Sequence, residues 1–144
     1  MPASREPDQT TAFLIDALWQ FWREWRLISH PVRKGEITPE QYWLLKRLAR
    51  RGPMNISELA QGLGITNSSA TTAAQRLEKS GLVVRERQQS DERIVLVRLT
   101  DTGREVLQRW AQRQRQALAE LLAPLSPEER ASLLHLLQKL LPRT

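Results

Sequence analysis

The chain has 144 residues, 40% of them hydrophobic, with a net charge of +6 and no cysteine. That length and apolar content fit one folded domain and exclude a disordered chain, while the missing cysteines exclude disulfides, thiolate metal sites and cysteine-based redox sensing. No apolar run reaches the roughly eighteen residues of a membrane span, and the cationic surplus favours an anionic partner such as nucleic acid, with a basic soluble protein lacking any such partner as the plain alternative.

Residues 1–11, "MPASREPDQTT", are polar, contain proline and lack the apolar core of an export signal. A mobile segment and a cytoplasmic location are expected. In "AFLIDALWQFWREWRLI", Leu14, Leu18, Phe21, Trp25 and Ile28 recur at helical spacing, and Ile15, Trp19 and Trp22 widen the stripe. A helix apolar on more than one side needs more than one neighbour. "SHPVRKGE" ends it.

A second helix opens at Thr38, with Pro39 at its first position and Gln41 closing a capping box, and stops at Gly52-Pro53. A short helix follows Asn55, with Ile56, Leu59, Ala60 and Leu63 inward and Gly64 at its end. Thr66 caps the next, which buries Ala70, Ala73, Ala74 and Leu77 and stops at Gly81. Two short helices joined through "GLGIT" read as a helix-turn-helix. "RERQQSDERIVLVRLT", Arg85 to Thr100, then alternates as two strands with a polar tip, a hairpin too small to stand alone. A long helix from Thr100-Asp101 and a last one from the Ser126-Pro127-Glu128-Glu129 box complete the chain. The last helix carries leucines in pairs (133–134, 136–137, 140–141), more apolar surface than a thin monomer covers.

The second helix of the pair has an unusual outer face: Asn67, Ser68, Ser69, Thr71, Thr72, Gln75 and Arg76. Such residues are poor helix formers, so propensity does not explain them. They suit base edges and phosphates in a major groove, against the alternative of an ordinary solvated face. The hairpin adds Arg85, Arg87 and Arg93, and Asp91 lies two residues from Arg93, on the same strand face, where it can aim the guanidinium. Helix, turn, helix, basic hairpin is the order of a winged helix-turn-helix.

Here the chain resembles the MarR-type regulators, named for multiple antibiotic resistance. The resemblance rests on "SELA", "RLEKSGLVVR", "SDERIVLVRLT" and "TDTG", in order across residues 38 to 103. It implies a mostly α winged helix-turn-helix fold and a homodimer built through the first and last two helices. It also implies binding to pseudo-palindromic double-stranded operator DNA, as a repressor of nearby genes released by a small, aromatic or anionic effector. The family's wing arginine falls on Arg93, its partner acid on Asp91 and the recognition helix on Thr66 to Ser80. Members often carry a basic residue where this chain has Thr72. The implied organisation is a mobile segment over 1–11, a dimerisation helix and linker over 12–37, a DNA-binding core over 38–103 and dimerisation helices over 104–144, all one MarR-type domain. The charge-poor recognition helix keeps a second reading open, a winged-helix adaptor that binds protein and not specific DNA.

Catalysis finds little support. His30 and His135 are the only histidines, and neither an HExxH motif nor a Gly-rich phosphate loop is present, so no enzyme activity, metal or cofactor is expected. The five tryptophans read first as core and dimer interface. The sharper reading gathers Trp22, Trp25, His30 and Trp43 into an effector pocket, where Arg23 or Arg26 would also meet an anion. The last helix lacks a basic polar face, so a partner helix suits it better than a membrane surface.

Overall fold

A computed structural model describes residues 5–142. Residues 1–4 of the expected mobile segment lie outside the described residues, and a helix already starts within its remainder. Helix α1 (Gln9–Ser29) is capped by Asp8, whose carboxylate accepts from Thr11 N at 2.8 Å. Helix α2 (Pro39–Arg51) carries the expected capping box: Thr38 Oγ1 accepts from Gln41 N at 3.3 Å and Gln41 Oε1 accepts from Thr38 N at 3.5 Å. Its Leu44, Leu45 and Leu48 lie wholly or almost wholly out of solvent.

Strand β1 (Met54–Asn55) leads into α3 (Ile56–Leu63), and α4 (Asn67–Lys79) follows after three residues. Gly64 sits at φ 67°, a left-handed conformation that closes α3, and Thr66 caps α4 by accepting from Ser69 N at 3.1 Å. The alanine face of α4, Ala70, Ala73 and Ala74, is buried, which lets the helix approach its scaffold closely. Strands β2 (Val83–Gln88) and β3 (Asp91–Leu99) form the antiparallel hairpin.

The hairpin is not the lone pair of strands that the sequence implies. β1 joins it through Met54↔Val97 and Asn55↔Leu96, giving a three-stranded sheet of order β1-β3-β2 with β3 in the centre. Two residues cannot display alternation, so this strand left no mark in the sequence pattern. Val83, Val97 and Leu99 at the hairpin base enter the same core as Leu45, Leu59 and Leu77, and that core supports the wing.

Helix α5 (Asp101–Leu122) runs without interruption past the expected core boundary at residue 103. Gly103 lies in its first turn, where a Cβ would collide with the Leu82 carbonyl and stand 2.7 Å from Leu99 Cδ1. α1 packs along α5, and Trp25 Nε1 donates to Gln114 O at 3.1 Å. Glu36, in the linker between α1 and α2, accepts from Trp110 Nε1 at 3.1 Å and from Arg113 Nη1 at 2.7 Å, so one carboxylate ties the linker to α5. Helix α6 (Pro127–Leu140) starts from the expected capping box and buries none of its residues. Leu134, Leu136, Leu137, Leu140 and Leu141 stand exposed beyond α5, as do Phe13, Leu14 and Trp19 on α1. No helix among the described residues is long and apolar enough to cross a membrane.

Candidate nucleic-acid interface and aromatic cleft

The outer face of α4 presents hydroxyl and amide groups and a single guanidinium. Asn67, Ser68, Ser69, Thr72, Gln75 and Arg76 are exposed, and Thr71 is half-buried. Local bonds order several of them. Thr72 Oγ1 donates to Ser68 O at 3.0 Å, and Asn67 Nδ2 donates to Ser57 Oγ on α3 at 3.3 Å. Arg76 makes no ion pair among the described residues. A groove of about 240 Å³ runs between this face and the start of α2, with Glu40 and Gln41 on one side and Ser68, Thr72 and Arg76 on the other. The part α2 plays in that groove had no signal in the sequence, since it depends on how two helices pack.

The wing arginines divide by their partners. Arg85 is held to α4: its Nε and Nη2 donate to Glu78 Oε1 at 3.2 and 3.1 Å, and its backbone N donates to Glu78 Oε2 at 3.1 Å. That contact fastens the end of α4 to the wing base, and Arg85 holds the Glu78 carboxyl below its ordinary range. Arg87 folds over the tip, Nη1 donating to Glu92 O at 2.8 Å. Arg98 pairs with Glu86 across the strands at 2.6 Å. Arg93 is different. Its side chain is 91% exposed while Asp91 Oδ1 accepts from both its backbone N (3.0 Å) and its Nε (3.2 Å). The hydrogen bond from the Arg93 side chain is the main reason the Asp91 carboxyl lies below its usual value. A fully solvated guanidinium with a fixed direction is what a groove contact needs. Arg93 also borders a groove of about 310 Å³ against Asn55, Ile56 and Ser57 at the start of α3, so wing and helix pair share one surface.

On the side facing α1, the structure brings Trp22, Trp25, His30 and Trp43 together around one cleft of about 420 Å³. Tyr42 completes the aromatic wall, and Arg26, Ser29 and Gln114 supply further polar edges. Of these, Tyr42, Ser29 and Gln114 were not foreseen. Tyr42 lies within the capped helix next to Trp43. The His30 ring lies 4.6 Å from the Tyr42 ring, and its Nδ1 accepts from Val32 N at 3.3 Å, which places the proton of the neutral ring on Nε2. Burial pushes the imidazole below its ordinary value, and Arg26 and Arg33 add to the effect. The Arg26 guanidinium stands 4.5 Å over the Trp22 ring. Among the described residues, no carboxylate lines the cleft.

A helix-turn-helix whose second helix exposes a hydroxyl and amide face, followed by a three-stranded wing that carries an oriented arginine, defines a winged helix-turn-helix protein. The model of the MarR family matches residues 37–95. Among curated proteins, the chain is similar to the helix-turn-helix transcriptional regulator YkoM of Bacillus subtilis, 30% identical over 83% of this chain and 80% of that one. It is also similar to the transcriptional repressor MdtR of the same organism, 29% identical over 76% of this chain and 70% of that one. Among solved structures, YusO from Bacillus subtilis superposes with a TM-score of 0.79 at 26% identity, over 94% of this chain and 97% of that one. The chain belongs to the MarR family of winged helix-turn-helix transcriptional regulators, which are DNA-binding proteins and not enzymes.

Proposed function

We propose that the protein is a cytoplasmic homodimeric repressor of nearby genes, released when a small effector enters the aromatic cleft. The observation that carries the DNA contact is the pairing of an exposed hydroxyl and amide face on α4 with the Asp91-held, fully exposed Arg93. Asn67, Ser68, Ser69, Thr71, Thr72, Gln75 and Arg76 enter the major groove, and Arg93 enters the flanking minor groove. Arg87 reaches phosphate from the tip, and Arg85 serves by holding the wing against α4 through Glu78. Two-fold symmetry puts the second recognition helix about 34 Å away, one turn along a pseudo-palindromic operator. Support for the dimer comes from α6, which carries five exposed leucines counted through Leu141, and from the exposed apolar side chains of α1.

Support for the effector comes from the cleft itself, an aromatic space with cationic edges and, among the described residues, no acid. Trp43 offers a route for its message. The same indole lines the cleft and a second small groove beside Leu63 and Ile65, at the turn between α3 and α4. A ligand that moves Trp43 therefore presses on the turn that sets the recognition helix, favouring a dimer whose helix spacing no longer fits the duplex.

The test is fluorescence anisotropy with a duplex from just upstream of the protein's own gene and a scrambled duplex of equal length, each across a salt series. Much tighter binding of the upstream duplex, falling steeply with salt, supports the regulator acting on nearby genes. Equal, weak binding of both counts against an operator at that place and favours the adaptor reading.

A further inference from the structure

Most acids around the helix pair and the wing are already committed. Glu78 holds Arg85, Glu86 holds Arg98, Asp91 holds Arg93, and Glu58 accepts from Asn55 Nδ2 at 2.8 Å. Glu40 makes no ion pair among the described residues. Glu92 on the wing is unpaired too, but of the two only Glu40 lines the groove along α4.

Glu40 is exposed in the first turn of α2 and borders two grooves. One is the groove of about 240 Å³ in which Ser68, Thr72 and Arg76 stand opposite it. The other, of about 150 Å³, reaches Trp43, Leu63 and Ile65 at the turn between α3 and α4. Glu40 therefore stands beside the start of α4. That helix has no acid in its own first turn, so its first N–H groups and Arg76 both draw anions. Among the described residues lining the larger groove, Glu40 is the single acid and Arg76 the single cation. An acid in the first turn of α2 also favours the dipole of its own helix, by about 0.3–1 kcal/mol. The groove gives the same charge a second consequence.

We propose that Glu40 is a specificity-determining residue: its charge keeps phosphate out of the groove between α2 and α4. A carboxylate accepts hydrogen bonds and donates none, so it repels a phosphate and tolerates the amino group of a cytosine or adenine edge. Phosphate contacts supply nearly all of non-specific binding, whereas specific binding adds the base edges that α4 meets. An acid at this place weakens the first more than the second and widens the gap between them. The proposal rests on the reading of α4 as the helix that enters the major groove.

The experiment compares full-length Glu40→Gln with wild type by anisotropy, on the upstream and the scrambled duplex, across a salt series. Affinity for the scrambled duplex should rise about three- to tenfold at about 0.1 M salt, and its salt slope should steepen by up to about one ion. The upstream duplex should gain less, so the ratio of the two affinities falls. Glu40→Asp keeps the charge and should stay close to wild type. Glu120→Gln removes one negative charge far along α5 and should leave the ratio unchanged. Unchanged affinity of Glu40→Gln for the scrambled duplex, or a gain as large on the upstream one, overturns the proposal, as does the same gain from Glu120→Gln. If wild type does not prefer the upstream duplex, the operator at that place fails, and the scrambled duplex alone decides whether Glu40 keeps phosphate away. If wild type binds neither duplex, the DNA reading and this proposal fail together.

Discussion

Arg93 and Gly103 show how much rests on single side chains. In the proposed DNA contact Arg93 supplies the wing's share, and Asp91 orients it without closing its access to solvent: 91% of the arginine side chain is exposed against 34% of the aspartate. Arg93→Ala should weaken duplex binding and make the salt dependence shallower by about one ion, while sedimentation shows an unchanged dimer. Unaltered affinity would remove the wing from the mechanism. Gly103 is required for space: its Cβ would overlap the Leu82 carbonyl, which cannot move without shifting the hairpin base. Gly103→Ala should cost about 1–3 kcal/mol, seen as a lower thermal midpoint. Such residues differ in how far the sequence discloses them. Asp91 and Arg93 are two apart on one strand, so their pairing was readable. Arg85 is bound by Glu78, seven residues earlier on another element, and charge type alone did not reveal that its guanidinium is held against α4.

Among the elements, the helices were the most legible, because caps and stripes act over three or four residues. Thr38, Asn55, Thr66, Thr100 and Ser126 all accept from a backbone N–H three residues on, as their types and spacing require. How one element holds the next was less open to view. The Glu36 link from the linker to α5 spans 74 residues to Trp110 and 77 to Arg113. The Arg113 side-chain hydrogen bond is the chief reason the Glu36 carboxyl lies below its ordinary value. A depressed carboxyl pKa stabilises the fold above the unfolded value and loses that contribution as pH falls through the folded one. Glu36→Gln should therefore destabilise the protein at pH 7 by on the order of 1 kcal/mol or less, since both partners are about one-third exposed. In urea titrations the gap from wild type should narrow as pH falls below about 4.3. A gap independent of pH would mean that the link acts through shape and not charge. His30 shifts stability with pH in the same direction, from a different cause: burial, which disfavours its charged form. Its lowered pKa means the unfolded chain takes up the proton first, so acidification below about 6.5 should reduce stability, and His30→Gln should remove that slope.

For the molecule as a whole, the unpaired apolar surface of α1 and α6 is the leading fact. A chain ended before Ser126 should elute as a monomer or a weak dimer while its winged core keeps its circular dichroism; a tight dimer would show that α6 is not the seam. The leucine pairs announced this surface, because excess apolar residues on a short helix are visible in any sequence. The helix-turn-helix order, the outward polar face of α4 and the wing hairpin were likewise legible, since each depends on neighbours in the chain. β1 was not, because its evidence is a partner at Val97, more than forty positions away, and two residues hold no period. The cleft stood between these cases. Trp22, Trp25, His30 and Trp43 could be named as a set, but their meeting around a shared space, and the arrival of Tyr42, Ser29 and Gln114 beside them, came from the packing of α1, α2 and α5. Local chemistry dictates where helices start, stop and turn their apolar faces. Which side chains share a cavity, and which charges are already taken, depends on contacts between distant segments, and only the folded chain supplies those.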